Sequence, residues 1–99
     1  MQSHYPEQFE RDMACTEAEW LGWLPRAIGP LAWEPEPGSA RVRIGSGRLR
    51  ISWHEAPPRR IALLELACLH VAFSFENVDD GMRYAFMKRF DLYMLRGGG

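Results

Sequence analysis

No apolar run in this chain is long enough to cross a bilayer. The longest uncharged stretch, residues 66–75, already contains His70 and Ser74, whereas a membrane helix needs about 20 mostly apolar residues. Cysteine is scarce, and Cys15 and Cys68 stand far apart with no paired spacing. That argues against a disulfide framework and against zinc motifs built on paired cysteines. Lysine is scarcer still, because Lys88 is alone among the twelve basic residues and the rest are arginine. The opening Met1-Gln2-Ser3-His4-Tyr5-Pro6-Glu7 has neither a basic start nor an apolar core, so we expect no signal peptide. A reduced, cytoplasmic protein without a membrane partner is the expectation.

What is present bounds the fold. The 99 residues are 46% apolar and 25% charged, ordinary values for a globular chain. A chain this short buries only about two-thirds of its unfolded surface, so residues 1–99 are expected to form one domain. Residues 1–14 are polar, acidic and aperiodic and read as a loosely ordered lead-in. Residues 97–99, all glycine, read as a flexible tail.

The net charge of −1 hides a dipolar chain. Residues 38–60 hold Arg41, Arg43, Arg48, Arg50, Arg59 and Arg60 against Glu55 alone. Residues 1–37 hold Arg11 and Arg26 against seven carboxylates. Guanidinium groups grip carboxylate or phosphate in a fixed fork, so a concentrated arginine surface is a candidate docking site.

Local patterns place that surface on a hairpin. Arg41 and Arg43 alternate with Val42 and Ile44, and Arg48 and Arg50 alternate with Leu49 and Ile51. Gly45-Ser46-Gly47 between them suits a tight turn and lacks the trailing Lys-Ser/Thr of a phosphate loop. Leu49, Ile51 and Trp53 face one way; Arg48, Arg50, Ser52 and His54 face the other. Pro57-Pro58 is expected to end the strand. Residues 61–76 read as two further strands turning near 66–68, with Leu69, Val71, Phe73 and Phe75 on the apolar side.

Helices are expected on both flanks. Thr16-Glu17-Ala18-Glu19 has the form of a capping box, and Trp20, Leu21, Trp23, Leu24 and Ile28 follow at helical spacing. Pro25 predicts a kink or two short helices, and Trp33-Glu34-Pro35-Glu36-Pro37 an extended connector. Asp79 or Asp80 should cap a last helix whose stripe is Met82, Phe86, Phe90 and Tyr93, widened by Met87 and Met94. Arg83 at the stripe's edge should snorkel outward, and Lys88 and Asp91 should face solvent with Leu92 and Leu95. The four tryptophans read as core, with a ligand pocket between helix and sheet as the alternative.

The predicted architecture is α+β in the order α-β-β-β-β-α: a four-stranded antiparallel sheet with N-terminal and C-terminal helices packed on one face. The tail Leu95-Arg96-Gly97-Gly98-Gly99 resembles the diglycine end of ubiquitin-like and sulfur-carrier proteins over these last residues alone. In that family the tail leaves a β-grasp strand; here it follows an expected helix and reads as a helix stop.

The candidate site is Arg41, Arg43, Arg48, Arg50, His54 and His70, for a partner or an anion. His54, His70 and Cys68 share the polar face by alternation, but their spacing matches no zinc or nucleophile motif, so neither cofactor nor metal is expected. The expected function is a small non-catalytic binding or adaptor module that docks on an acidic protein surface or on a second copy of itself as a homodimer. The alternative is a nucleic-acid-binding domain holding phosphates through the same arginines. Against it, the sheet's aromatics alternate onto the apolar face, leaving bases nothing to stack on. A third reading is a small-anion-binding protein or enzyme with His54, His70 and Arg50 around one pocket.

Overall fold

Alternation and capping account for most of the elements observed. A computed structural model describes residues 4–96. In chain order these form β1 (Gln8–Met13), α1 (Glu17–Ile28), β2 (Trp33–Glu36), β3 (Ser39–Ile44), β4 (Gly47–Ile61), β5 (Leu64–Glu76) and α2 (Asp80–Arg96). The strands make one antiparallel sheet in the order β1-β5-β4-β3-β2. Because β1 and β2 occupy opposite edges, α1, which joins them, crosses the whole width of one face. Among the described residues no helix is long and apolar enough to cross a membrane.

The α1 capping box forms: Thr16 Oγ1 accepts from the Glu19 amide at 3.1 Å, and Glu19 Oε1 accepts from the Thr16 amide at 2.9 Å. Trp20, Leu24, Ala27 and Ile28 then fall on one buried stripe. At the start of α2, Asp79 Oδ1 accepts from the Met82 amide at 2.8 Å. Phe86, Met87, Phe90 and Met94 make its buried face. Both helices meet the same side of the sheet. Trp20 lies 5.6 Å from Trp53, Phe90 stands edge-on to Phe73 at 5.5 Å, and Trp20 meets Phe90 at 5.9 Å. Each fully buried aliphatic or aromatic side chain contributes roughly 1.5–3 kcal/mol, so this layer holds the fold together. Trp53 Nε1 donates to Glu17 Oε2 at 2.9 Å, while the buried Trp20 Nε1 has no partner among the described residues.

Five strands form where four were expected, and the boundaries shift. The supposed lead-in supplies β1, which pairs with β5 from Gln8↔Ser74 to Met13↔Leu69. Its inward positions are Phe9, Arg11 and Met13, so a charged residue interrupts the apolar alternation. Arg11 is accommodated because its guanidinium lies 5.2 Å from the Phe73 ring centre and bonds Asp91 Oδ1 at 2.7 Å. Asp91 is therefore not a solvent-facing residue; its Oδ2 also accepts from the Tyr5 hydroxyl at 3.0 Å.

The proline-rich connector becomes the edge strand β2, a place where a missing amide costs no central pairing. Pro57-Pro58 does not end β4. The register shifts between Ala56 and Arg59, and the strand continues to a turn at Ala62-Leu63, not at 66–68. Pro25 does not break α1, since it sits on the exposed side and its carbonyl accepts from Gly29 at 3.0 Å. Arg83 turns inward instead of snorkelling: Nε donates to the Tyr5 carbonyl at 2.8 Å and a terminal nitrogen to the Val78 carbonyl at 2.6 Å. Two backbone acceptors hold the guanidinium more firmly than water would. The glycine tail at 97–99 lies outside the described residues.

Candidate functional site

The face of the sheet opposite the helices carries the arginines. Strand pairing sets Arg41 opposite Arg50, Arg43 opposite Arg48, and His54 opposite His70. All six expected site residues therefore share one face, which follows from alternation once the register is given. Small residues separate the charged ones, with Ser52 opposite both Ser39 and Ala72, and Ser74 beside Arg50. Trp53, Phe73 and Phe75 are buried on the other side.

Like charges placed directly opposite destabilise a sheet by up to about 1 kcal/mol per pair, so the compensation matters. Arg48 is matched by its cross-strand neighbour Glu76, whose Oε1 accepts from Arg48 Nε at 2.8 Å. Arg41 lies 3.4 Å from Glu36 and 3.7 Å from Glu34, both on β2. Arg43 and Arg50 are exposed and have no carboxylate in ion-pair reach among the described residues. Half of the arginine cluster is thus neutralised internally and half is not.

An open cleft of about 510 Å³ lies at the β3–β4 turn end of this face. Arg41, Arg43 and Arg48 line it together with Trp33, Glu34, Ser46, Glu76 and Asn77; Arg50, His54 and His70 do not. Its floor depends on Gly47, where an added Cβ would come within 2.1 Å of the Asn77 carbonyl oxygen. Only glycine fits so close an approach of two backbones.

The histidines divide. His70 is bracketed by β1: Nδ1 lies 2.8 Å from Asp12 Oδ1 and Nε2 lies 2.5 Å from Glu10 Oε1. Hydrogen bonds to Asp12 and then Glu10 raise its pKa above the ordinary 6.5, against an opposing effect of desolvation. The His70 bond in turn lowers the Asp12 carboxyl, helped by Arg59 at 3.2 Å. In its protonated form His70 donates from both ring nitrogens to carboxylates and keeps no lone pair for a metal. It is a tie between β1 and β5, with the His54 ring 5.2 Å away.

Cys68 is buried, as is Cys15, whose thiol is pushed up by burial and then by the nearby Glu19 and Cys68. A second cleft, of about 330 Å³, lies between the end of β1 and the C-terminal turn of α2, among Arg11, Asp12, Met13, Ala14, Asp91, Met94 and Leu95.

Alternation located the arginines and puts Glu76 on the same face, but it did not bring Glu34 and Glu36, read as part of an extended connector, to Arg41. The signal was there in weak form, as carboxylates at every second position in Glu10-Arg11-Asp12 and Glu34-Pro35-Glu36. The chain matches no protein-family profile, no curated protein and no solved structure.

Proposed function

We propose that this chain is a non-catalytic docking module whose open sheet face binds an acidic protein segment, with Arg43 and Arg50 taking its carboxylates. The observation that carries this reading is the split within the cluster. Arg41 and Arg48 have their own acids, while Arg43 and Arg50 stand exposed without one among the described residues, on the sheet face opposite the two helices. An unneutralised arginine pair steers an acidic partner and fixes its register more than it adds raw affinity. The acidic N-terminal arm of a second copy suits this role less well than a foreign segment. Here that arm is a strand, with Glu10 and Asp12 occupied by His70 and Arg59. A phosphate backbone would find the same guanidinium groups, but the aromatic lining their cleft, Trp33, is half-buried against the core and offers a base little to stack on.

A labelled peptide of alternating Glu, Asp and Gly tests the reading, with a mixed single-stranded oligonucleotide as the competing probe. Peptide binding at low salt should be lost in the Arg43→Glu/Arg50→Glu protein, whose urea midpoint should stay close to that of the parent. No peptide binding at about 50 mM salt would remove the proposal. Oligonucleotide binding that falls by orders of magnitude between about 50 and 200 mM would transfer the surface to nucleic acid.

A further inference from the structure

The two arginines that keep a free charge stand at a fixed separation. Arg41 pairs with Arg50 and Arg43 with Arg48, so Arg43 and Arg50 are diagonal neighbours across the β3–β4 ladder. In an antiparallel pair such positions lie about 7–8 Å apart. Along an extended chain, residues i and i+2 point the same way and stand about 6.6 Å apart. The two spacings agree, so carboxylates at alternate positions of one extended segment can each meet one guanidinium. Adjacent carboxylates cannot, because they point to opposite sides of the segment.

Beyond Arg50 the face is low. The same diagonal leads from Arg50 on β4 to Ala72 on β5, which lies opposite Ser52 and two residues from Ser74. All three side chains are short and half-buried. A segment that seats its acids at Arg43 and Arg50 therefore continues over a shallow floor.

The fold already uses this spacing twice on the same face. At one edge Glu34 and Glu36 of β2, two residues apart, both reach Arg41, at 3.7 and 3.4 Å. At the other edge Glu10 and Asp12 of β1 take the two ring nitrogens of His70, at 2.5 and 2.8 Å. Each edge strand thus offers acids at alternate positions to a cation of the open face. Among the described residues, no strand does so for Arg43 and Arg50 at its centre.

We propose that the docked segment is an extended strand carrying an acid-x-acid pair, with one carboxylate on Arg43 and the other on Arg50. Such spacing matters only if an acidic segment docks here at all, as proposed above. Arg41 and Arg48 bound the site, because their charges are taken by Glu34, Glu36 and Glu76. Both binding arginines are long and exposed, so the spacing selects by a modest factor.

Three labelled peptides of equal length, composition and net charge test this on the full chain. Each carries two aspartates in a Thr-Ser frame that favours the extended chain, at i and i+2, at i and i+1, or at i and i+5. At about 50 mM salt, where screening is weak, the i,i+2 peptide should bind about 5-fold tighter than either of the others. In NMR titrations it should shift the side-chain Nε–Hε signals of both Arg43 and Arg50. Arg43→Gln and Arg50→Gln should each erase the preference, and Arg26→Gln on α1, which removes the same charge from the other side of the molecule, should not. Equal affinities of the parent for all three peptides would overturn the spacing and leave the docking reading standing. Failure of every peptide to bind would remove both. A preference that survives Arg43→Gln or Arg50→Gln would also overturn the assignment. So would a peptide with a single phosphoserine that binds as tightly as the i,i+2 peptide and is lost in the same variants, since one dianion would then span the pair.

Discussion

The lower and upper halves of the β4–β5 ribbon share two strands and one connected ladder, yet they have opposite surroundings. Below the bulge at Ala56 and Arg59, the ribbon is flanked by β1 and β3 and roofed by α1 and α2, and Leu49, Ile51 and Phe73 are buried. Above it the same strands continue with no flanking strand among the described residues, and Ile61, Leu63 and Leu64 meet solvent. The fifteen residues of β4 at about 3.3 Å each span roughly 50 Å, which accounts for the molecule's 47 Å long axis. Hydrophobicity is therefore a poor guide to burial here. What buries a leucine is the presence of neighbouring elements, and those stop at Leu69.

The sharpest way to break the comparison is to remove one large side chain from each half. Phe73→Ala should lower unfolding free energy by about 3–5 kcal/mol, because Phe9 stacks on it at 4.8 Å and Phe90 meets it edge-on. Leu63→Ala should change it by less than about 0.5 kcal/mol in urea titrations at protein concentrations low enough to keep the chain monomeric. Equal losses at the two sites would mean that the arm is packed within a single chain.

A smaller effect probes how β1 is fastened to the lower half. Arg11→Ala and Asp91→Ala should each cost about 1–2 kcal/mol, since their half-buried bond leaves a charged partner behind when either is removed. The double substitution should cost clearly less than the sum of the two, and strict additivity would show that the pair does not couple.

The smallest effect is a pH dependence at His70. Its pKa is raised in the folded chain, so its stabilising contribution is complete below the ordinary 6.5 and is lost as pH climbs through the raised value. Asp12, lowered from 3.8, contributes above that value and is lost as pH falls through the lower one. The urea-midpoint difference between the parent and His70→Gln should shrink from pH 6 to pH 9. A difference that held constant would mean that His70 is not protonated between its two carboxylates.

Much of the fold could be read from local pattern. The capping box at Thr16, the stripe from Phe86 to Met94 and the alternating arginines are each decided within one or two turns or strand repeats. What escaped reading depended on distant partners. β1 was hidden because Arg11 occupies an inward position, which makes sense only once Phe73 and Asp91 are known to lie against it. The turn at Ala62-Leu63 carries no glycine to mark it, since Ala62 itself takes the left-handed conformation at φ 56°. Pro57-Pro58 looked like a strand end because proline forbids central pairing, and that objection lapses on an unpaired edge.

The candidate site divides in the same way. Alternation alone put Arg41, Arg43, Arg48 and Arg50 on one face, because the period of two belongs to the strand itself. Which of them keep a free charge was decided by the fold, which brought Glu76 to Arg48 and the β2 glutamates to Arg41 and, among the described residues, brought no acid to Arg43 or Arg50. A short-range pattern can state which way a side chain points. Only the pairing of residues far apart in the chain determines what it points at.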